Sequence, residues 1–326
     1  MPRHIDIAHA RALLRSRDQL RHDGLSERDI HRAVAEGALV RVHRGTYVAA
    51  DQWNDLWAGG RHLLRVLAVH RASPAPGPIF SHASAAVLWG LPLYGQAPAV
   101  VHTVIEGDRH TRTSAGVMRH NMRLVDDDVV VQAGIRCTSI ARTVLDVARS
   151  QRLETAVSCA DAALRMRAVM GHQQNPDAAS QWRTEVENHA RRGLRGVRQA
   201  RWVIGFADGR AQLPGESVSR LRLHQLGYSD LDLQVNVAGS AGNDYWLDFA
   251  FLRSHMFGEF DGQSKYRDAE IRAGLSIEDV VLREKRREDD VRGVTGWRIV
   301  RWENEHLRIP DALGQRLRAF GLRPPG

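Results

Sequence analysis

The residue types and spacing needed to hold a divalent cation occur in the last third of the chain, at Glu216, Asp248, Glu259 and Asp261. Mg²⁺ prefers carboxylate oxygens and water as ligands. A bound divalent ion also lowers the pKa of a water molecule, so that the water can attack a phosphodiester. The pattern predicts a Mg²⁺ or Mn²⁺ site at Asp248, Glu259 and Asp261, with Glu216 as a further acid near by in the sequence.

A hairpin is needed to bring three of these acids together. Two strand-like runs, 245–251 and 255–262, flank a short polar turn. In an antiparallel hairpin centred on that turn, opposed residues have numbers that add to about 507, which places Asp248 opposite Glu259. Asp261 falls on the same face because side chains repeat every second residue. Like charges opposed on a half-buried sheet are destabilising, so the arrangement favours raised pKa values or a bound cation.

One further acid, Glu216, and two lysines are the remaining candidate site residues. Glu216 lies just after Pro214, in the first turn of a run with apolar residues at helical spacing. Lys265 and Lys285 are the lysines of the chain, and both fall near the acids. Their position makes both lysines candidate site residues, although so few lysines can also cluster by chance. Arginines alternate with acids around Arg287, which predicts intrahelical ion pairs.

As an ordered set, Glu216, Asp248 in WLDF, and Glu259 with Asp261 in GEFDGQSKY resemble the PD-(D/E)XK nuclease superfamily, specifically its Vsr-like small endonuclease domains. The resemblance spans about residues 208–308 and implies a restriction-endonuclease-like α/β domain that cleaves DNA with a metal ion. It implies Glu216, Asp248 and Glu259 as ligands of Mg²⁺ or Mn²⁺ and Asp261 as an assisting catalytic residue. Lys265 or Lys285 would contact phosphate or orient the attacking water in place of the superfamily's usual lysine. The sequence departs from the superfamily pattern at Asp261, where a lysine is usual. A nuclease-like fold that has lost catalysis and keeps its acids as a regulatory metal site is therefore the alternative.

The N-terminal region has the residue pattern of a winged helix. Ser26 is a predicted N-cap with Asp29 as its capping-box partner, and Gly37 ends the helix. The apolar period then changes to two around a turn at residues 43–45, which predicts a basic hairpin that can contact phosphate. The predicted DNA-contacting residues are Arg28, Arg32, Arg41 and Arg44. A structural bundle whose arginines only solvate the surface is the alternative.

The run GLSERDIHRAVAEGALVRVHRGTYVA resembles the winged-helix domain of the AbiEi family of type IV antitoxins and transcriptional regulators. FSHASAAVLWGLPL (80–93) and TSIARTVLDVAR (138–149) are similar to the middle segment of that family. The resemblance covers roughly residues 5–150. It implies binding to double-stranded DNA and leaves open a cognate toxin as protein partner. His82, next to the predicted N-cap Ser81, is expected to be a local hydrogen-bonding residue.

Composition narrows the class of protein. The net charge of +8 favours a polyanionic partner, although a GC-rich genome, which raises the arginine content of its proteins, would give the same excess. Cys137 and Cys159 have no CxxC or Cys/His cluster beside them, so neither a disulfide framework nor a structural zinc site is predicted. No apolar run reaches the roughly eighteen residues of a membrane span, and the N-terminus lacks a secretory apolar segment. These features predict a cytoplasmic protein.

The expected fold class is a multidomain α+β or α/β chain. A winged helix (1–52) is followed by a mixed α/β AbiEi-like middle domain (53–170), a helical linker (171–207) and a PD-(D/E)XK-type domain (208–326). The predicted function is DNA binding combined with a metal-dependent endonuclease-like domain. The alternative is a non-enzymatic transcriptional regulator or antitoxin of a type IV toxin-antitoxin system.

Overall fold

The computed structural model describes residues 4–95, 98–105, 113–114, 116–190, 195–262 and 276–324. The chain divides into two compact units. The first unit contains residues 1–159 and 181–206, and the second contains 160–180 and 207–326. The described residues form thirteen α-helices and four sheets, so the predicted mixture of helices and sheets is present. The sequence predicted four segments, whereas the chain divides into two units.

The first unit begins with three helices and a small sheet. These elements are α1 (Ile7–Leu13), β1 (Arg15–Ser16), α2 (Arg17–His22), α3 (Glu27–Ala35), β2 (Leu39–His43) and β3 (Thr46–Ala49). β3 lies between β1 and β2, and both pairings are antiparallel. Buried Leu20, Ile30 and Tyr47 join the helices to the hairpin in one apolar cluster. This is the helix-turn-helix and wing order expected from the sequence.

The predicted cap of α3 is confirmed. The Ser26 hydroxyl accepts a hydrogen bond from the Asp29 backbone N–H at 3.2 Å, and the Asp29 carboxylate accepts one from the Ser26 N–H at 3.0 Å. Gly37 follows the helix with φ 76°, in the left-handed region that favours glycine. The helix therefore has a fixed start and a fixed end.

The rest of the first unit contains a six-stranded mixed sheet. The elements are α4 (Ala50–Asn54), α5 (Ala58–Ala72), β4 (Ile79–Phe80), α6 (His82–Leu88), β5 (Val101–Ile105), β6 (Thr113–Ser114), β7 (Val117–Asn121), β8 (Val129–Gln132), β9 (Ile135–Thr138) and α7 (Ile140–Ser150). The strand order is β6-β7-β5-β4-β9-β8. β5 runs parallel to β7 and antiparallel to β4, so the three strands β7, β5 and β4 lie side by side.

A short hairpin and three helices follow. They are α8 (Leu153–Ala168), β10 (Val169–Met170), β11 (Gln173–Gln174), α9 (Pro176–Asn188) and α10 (Val197–Phe206). Pro176 begins α9, within the segment 171–207 that was expected to be a helical linker. The Asn175 side-chain oxygen accepts hydrogen bonds from the backbone N–H groups of Asp177 and Ala178. A proline in the first helical turn loses no helical hydrogen bond, because that N–H has no partner within the helix.

The second unit continues with an α-β-β-β-α-β succession and a final helix. These are α11 (Pro214–Gln225), β12 (Leu231–Ala238), β13 (Asp244–Phe251), β14 (Met256–Phe260), α12 (Ile277–Thr295), β15 (Arg298–Trp302) and α13 (Pro310–Ala319). The sheet order is β12-β13-β14-β15, with β14 and β15 parallel and the other pairs antiparallel. α11 approaches β14 so closely that a Cβ on Gly215 would overlap the Phe260 ring. None of the described helices is long and apolar enough to span a membrane.

The register predicted for the β13–β14 hairpin is confirmed. Phe249 pairs with Gly258, and Phe251 pairs with Met256. The same register, continued by one residue, sets Asp248 opposite Glu259. The sheet therefore places two of the predicted acids on neighbouring strands at the same level.

Candidate active site and nucleic-acid interface

Glu216 and Asp248 are buried and meet at one neutral side chain, Gln234. The Gln234 amide nitrogen donates to Glu216 Oε2 at 3.3 Å and lies 3.5 Å from Asp248 Oδ1. Its amide oxygen accepts from the Gln212 side chain at 2.9 Å. Asp248 Oδ2 also accepts the Phe260 backbone N–H at 2.9 Å. The first two predicted acids are thus brought together by hydrogen-bond donors.

Gln234 has an unusual backbone conformation. Its φ of 49° lies in the left-handed region, which costs a non-glycine residue on the order of 1–3 kcal/mol. The ladder pairs Leu233 with Phe249 and Val235 with Leu247, and Gln234 lies between these pairs, across from Asp248. Backbone strain of this kind persists where the surrounding structure fixes the residue, and it is common at functional sites. Gln234 was not predicted from the sequence, where it is one of three polar residues, with Asp232 and Asn236, that alternate with apolar residues in β12.

A cleft of about 500 Å³ in the second unit connects Gln234 with the surface. The rings of His172 and Trp246 stack there, with centroids 4.0 Å apart and planes 7° apart. Arg210 lines the cleft as well, and its guanidinium pairs with Asp208 at 2.9 Å and Asp232 at 2.6 Å. The cleft is therefore polar, with one aromatic surface and a neutralised cation.

Glu259 lies between two arginines. Arg287 Nη2 is 2.6 Å from Oε1, and Arg301 Nη2 is 2.8 Å from Oε2. Burial raises the pKa of the Glu259 carboxyl, and the two guanidinium groups oppose that rise. Glu284 accepts hydrogen bonds from both arginines and completes the network. We call Glu259, Arg287 and Arg301 the arginine clamp.

The clamp was only partly foreseen. The intrahelical pair of Arg287 with Glu284, expected from charge alternation, is present. Its reach to Glu259, and the contribution of Arg301 from β15, depend on the tertiary fold. Asp261 follows β14 and lies 3.5 Å from Arg301 rather than beside the other acids. On α12, Lys285 is exposed, whereas Lys265 lies outside the described residues.

Glu216, Asp248 and Glu259 do not share one set of partners, contrary to the expectation of a common site. Glu216 and Asp248 share Gln234, whereas both oxygens of Glu259 contact guanidinium groups. Within the described residues, the groups of three or more His, Cys, Asp or Glu side chains close enough to share an ion include none of these acids. Their oxygens are suited to Mg²⁺ by type. Their arrangement in this conformation does not fit one shared ion.

The predicted DNA-contacting residues lie on the outside of the N-terminal domain. Arg28 and Arg32 are exposed on α3, Arg41 is exposed on β2, and Arg44 is exposed in the hairpin turn. Arg32 pairs with Asp29 at 2.6 Å. An exposed pair of this kind is worth only about 0–1 kcal/mol, so a phosphate can compete for the guanidinium.

Comparison with known proteins gives three findings. The family described as "Transcriptional regulator, AbiEi antitoxin" matches residues 16–50. The uncharacterized proteins MT2308 and Rv2248, from two strains of Mycobacterium tuberculosis, are each 32% identical to the chain over 231 residues, which is 70% of this chain and 75% of theirs. The crystal structure of the RV2827C protein from Mycobacterium tuberculosis aligns with 66% of this chain and 78% of its own, with 12% identity and a TM-score of 0.35.

These findings differ in what they establish. A TM-score of 0.35 does not establish a shared fold. The AbiEi match covers β1, α2, α3 and the β2–β3 hairpin, the elements that form the winged helix. The mycobacterial relatives match most of the chain. Residues 16–50 match the family of AbiEi-type transcriptional regulators, and the protein as a whole belongs to the same family as MT2308 and Rv2248 of Mycobacterium tuberculosis.

Proposed function

We propose that this protein is a DNA-binding transcriptional regulator of the AbiEi type, whose N-terminal domain binds duplex DNA through α3 and the β2–β3 hairpin. One observation carries the proposal: four arginines are exposed on an α3–hairpin unit that a small apolar core holds together. In winged-helix modules the second helix of the motif enters the major groove and the wing contacts phosphate. Because the family type includes antitoxins, a cognate toxin is the protein partner we propose.

Binding of the full chain to duplex DNA tests this proposal. Arginine-phosphate contacts release counterions, so the affinity must fall steeply as salt is raised. We expect fluorescence anisotropy to detect binding at about 50 mM salt and a loss of affinity of about 100-fold or more by about 200 mM, as four phosphate contacts require. An affinity that is the same at both concentrations would contradict the proposal.

The arginine clamp supports a structural role for Glu259 in the second unit. A buried carboxylate between two guanidinium groups is already neutralised, and its removal would leave two partly buried cations with Glu284 as their remaining shared partner. A cation could approach Glu259 only after one of the arginines had moved. We therefore propose that the second unit is a nuclease-like scaffold that helps to bind DNA or a cognate toxin and does not cleave DNA.

The Glu259→Gln variant tests that role. The arginines are 20% exposed at their side chains and keep Glu284 as a partner, so we expect the free energy of unfolding to fall by about 2–3 kcal/mol. Glu288→Gln, at the rim of the same network, should change it by less than about 0.5 kcal/mol. Denaturant titration measures both. If repulsion from Asp248 outweighed the attraction of the two arginines, neutralising Glu259 would stabilise the unit. That result would exclude the clamp.

Metal-dependent DNA cleavage is the second candidate function. It is favoured by the opposed acids Asp248 and Glu259 and by the α-β-β-β-α-β succession that carries them. In that case Glu216, Asp248 and Glu259 would hold Mg²⁺ or Mn²⁺. Asp261, Lys265 and Lys285 would be its further catalytic candidates.

Plasmid nicking distinguishes the two candidates. The clamp predicts that the wild-type chain leaves supercoiled plasmid intact with either metal ion. Cleavage that is lost in Asp248→Asn and kept in Asp244→Asn, an exposed acid on the same strand, would establish the second candidate instead. Nicking that both variants retain would identify a contaminating nuclease.

A further inference from the structure

Three histidines of the first unit come together from separate parts of the chain. His82 begins α6 directly after β4, His102 lies on β5, and His120 lies on β7. These three strands are neighbours in the sheet. The His82 and His120 rings stack with centroids 4.0 Å apart, and the His102 and His120 centroids are 5.1 Å apart. One nitrogen from each ring lies within 4.8 Å of the others.

The backbone fixes the position of His82. The Ser81 N–H donates to the His102 carbonyl at 3.1 Å, which ties the start of α6 to β5. His82 then takes φ 51°, in the left-handed region that a non-glycine residue rarely occupies. Its Nδ1 lies 3.0 Å from the Ser81 hydroxyl, which is the local hydrogen bond expected from the sequence. This leaves Nε2 of His82 as its ligand atom.

The hydrogen bonds of the cluster are incomplete. His102 Nδ1 lies 2.8 Å from His120 Nε2. The other nitrogen of His102, Nε2, is buried and has no hydrogen-bond partner within the described residues. Burial of the ring, and after it the neighbouring His120, lowers the pKa of His102 to about 4, and burial also lowers the pKa values of His82 and His120. Neutral imidazole is the form that binds metal ions.

Nearby charges permit a cation. Arg142 and Arg149 lower the pKa of His82, so they act as positive neighbours of the cluster. Both are neutralised by the buried carboxylate of Asp146, at 3.1 Å from each, and Arg142 also pairs with Asp128 at 3.1 Å. The local positive charge is therefore largely compensated before an ion enters.

We propose that His82, His102 and His120 form a binding site for a divalent transition-metal ion of the Zn²⁺ class. Imidazole nitrogen is a preferred ligand of Zn²⁺, and tetrahedral ligands at about 2.0–2.1 Å stand roughly 3.3 Å from one another. The ligand atoms now lie within 4.8 Å of one another and the rings are stacked, so binding requires the atoms to move closer and the rings to turn until their nitrogens face one ion. The Ser81 hydroxyl on His82 Nδ1 is the kind of outer partner that orients a ligating histidine. Three protein ligands leave a fourth position for water or another small ligand.

Zinc titration of the full-length, untagged protein tests the site. The protein is stripped with a chelator and titrated with Zn²⁺ against a chromophoric competitor. We expect one tight equivalent in the wild type and an affinity lower by about 100-fold or more in His120→Gln, which removes a ligand. His189→Gln is the control, because His189 is also half-buried in the same unit but outside the cluster, and the glutamine amide can still donate to Asp128, which lies 3.1 Å from His189 Nδ1. Its affinity should match the wild type.

X-ray absorption of the zinc-loaded wild type needs no substitution and covers the case in which His120→Gln fails to fold. It should show three imidazole ligands at about 2.0–2.1 Å. An absence of stoichiometric binding, equal affinities in His120→Gln and His189→Gln, or a spectrum with a different ligand set would each overturn the proposal. Cobalt substitution provides the same contrast, since a tetrahedral Co²⁺ absorption band should appear in the wild type and the control only.

Discussion

Replacement of Arg220 by methionine is expected to lower the free energy of unfolding of the second unit by about 3–5 kcal/mol. Arg220 on α11 holds both oxygens of Asp161 on α8, at 2.8 and 2.9 Å, and the Asp161 side chain is completely buried. Methionine fills similar volume but leaves an uncompensated buried carboxylate. The loss bears on the site because Glu216 lies one turn earlier on the same helix.

Urea denaturation of Arg220→Met and of the double variant Asp161→Asn/Arg220→Met measures this effect. Removal of both charges should recover much of the stability, because a buried ion pair is far costlier to break than to replace. The Asp208 backbone N–H, which donates to Asp161 at 2.9 Å, can donate to the asparagine oxygen. A loss under about 1 kcal/mol in the single variant, or a double variant no more stable than it, would show that the pair does not hold α11 in place.

The same variant should be sensitive to pH. Burial raises the pKa of Asp161 above the ordinary aspartate value of 3.8, and Arg220 opposes that rise. Without Arg220 the folded-state pKa rises further, so the native state binds a proton that the unfolded chain releases. Stability then falls as pH rises through the window from 3.8 to the raised pKa. The destabilisation of Arg220→Met should therefore be smaller in acidic buffer than at neutral pH.

Local sequence signals predicted the parts of the fold that depend on neighbours in the chain. Ser26 and Asp29 are three residues apart and cap the same helix, so their role is visible in the sequence. The register that opposes Asp248 and Glu259 follows from the position of one turn. In both cases the physical cause lies within about a dozen residues.

The behaviour of the site depends on distant residues, which explains what the sequence analysis missed. Glu259 resembles a metal ligand in sequence because its charge is visible, whereas Arg301 reaches it only through the parallel pairing of β14 with β15. The three histidines of the first unit have no metal-site spacing in the sequence, and adjacent strands bring two of them together. Charge alternation on α12 predicted the pair of Arg287 with Glu284 but not the contact of Arg287 with Glu259.

Simultaneous replacement of four arginines by alanine is expected to remove most of the affinity for duplex DNA. The substituted residues are Arg28, Arg32, Arg41 and Arg44. Each is exposed, so the fold should be kept, with a cost within about 0.5 kcal/mol per site. If each arginine neutralises one phosphate, the affinity near 0.1 M salt falls by roughly 10³-fold. The control carries the same loss of charge at exposed arginines outside this domain, namely Arg123, Arg152, Arg167 and Arg198.

The most direct test of DNA binding by α3 and the hairpin is the slope of log affinity against log salt for these proteins. Each lost phosphate contact reduces the magnitude of the slope by about 0.9, so the four-arginine variant should differ from the wild type by about 3.6. The control, with equal net charge, should keep the wild-type slope. Equal slopes for the variant and the wild type, or an equal reduction in the variant and the control, would contradict the assignment of DNA binding to this surface.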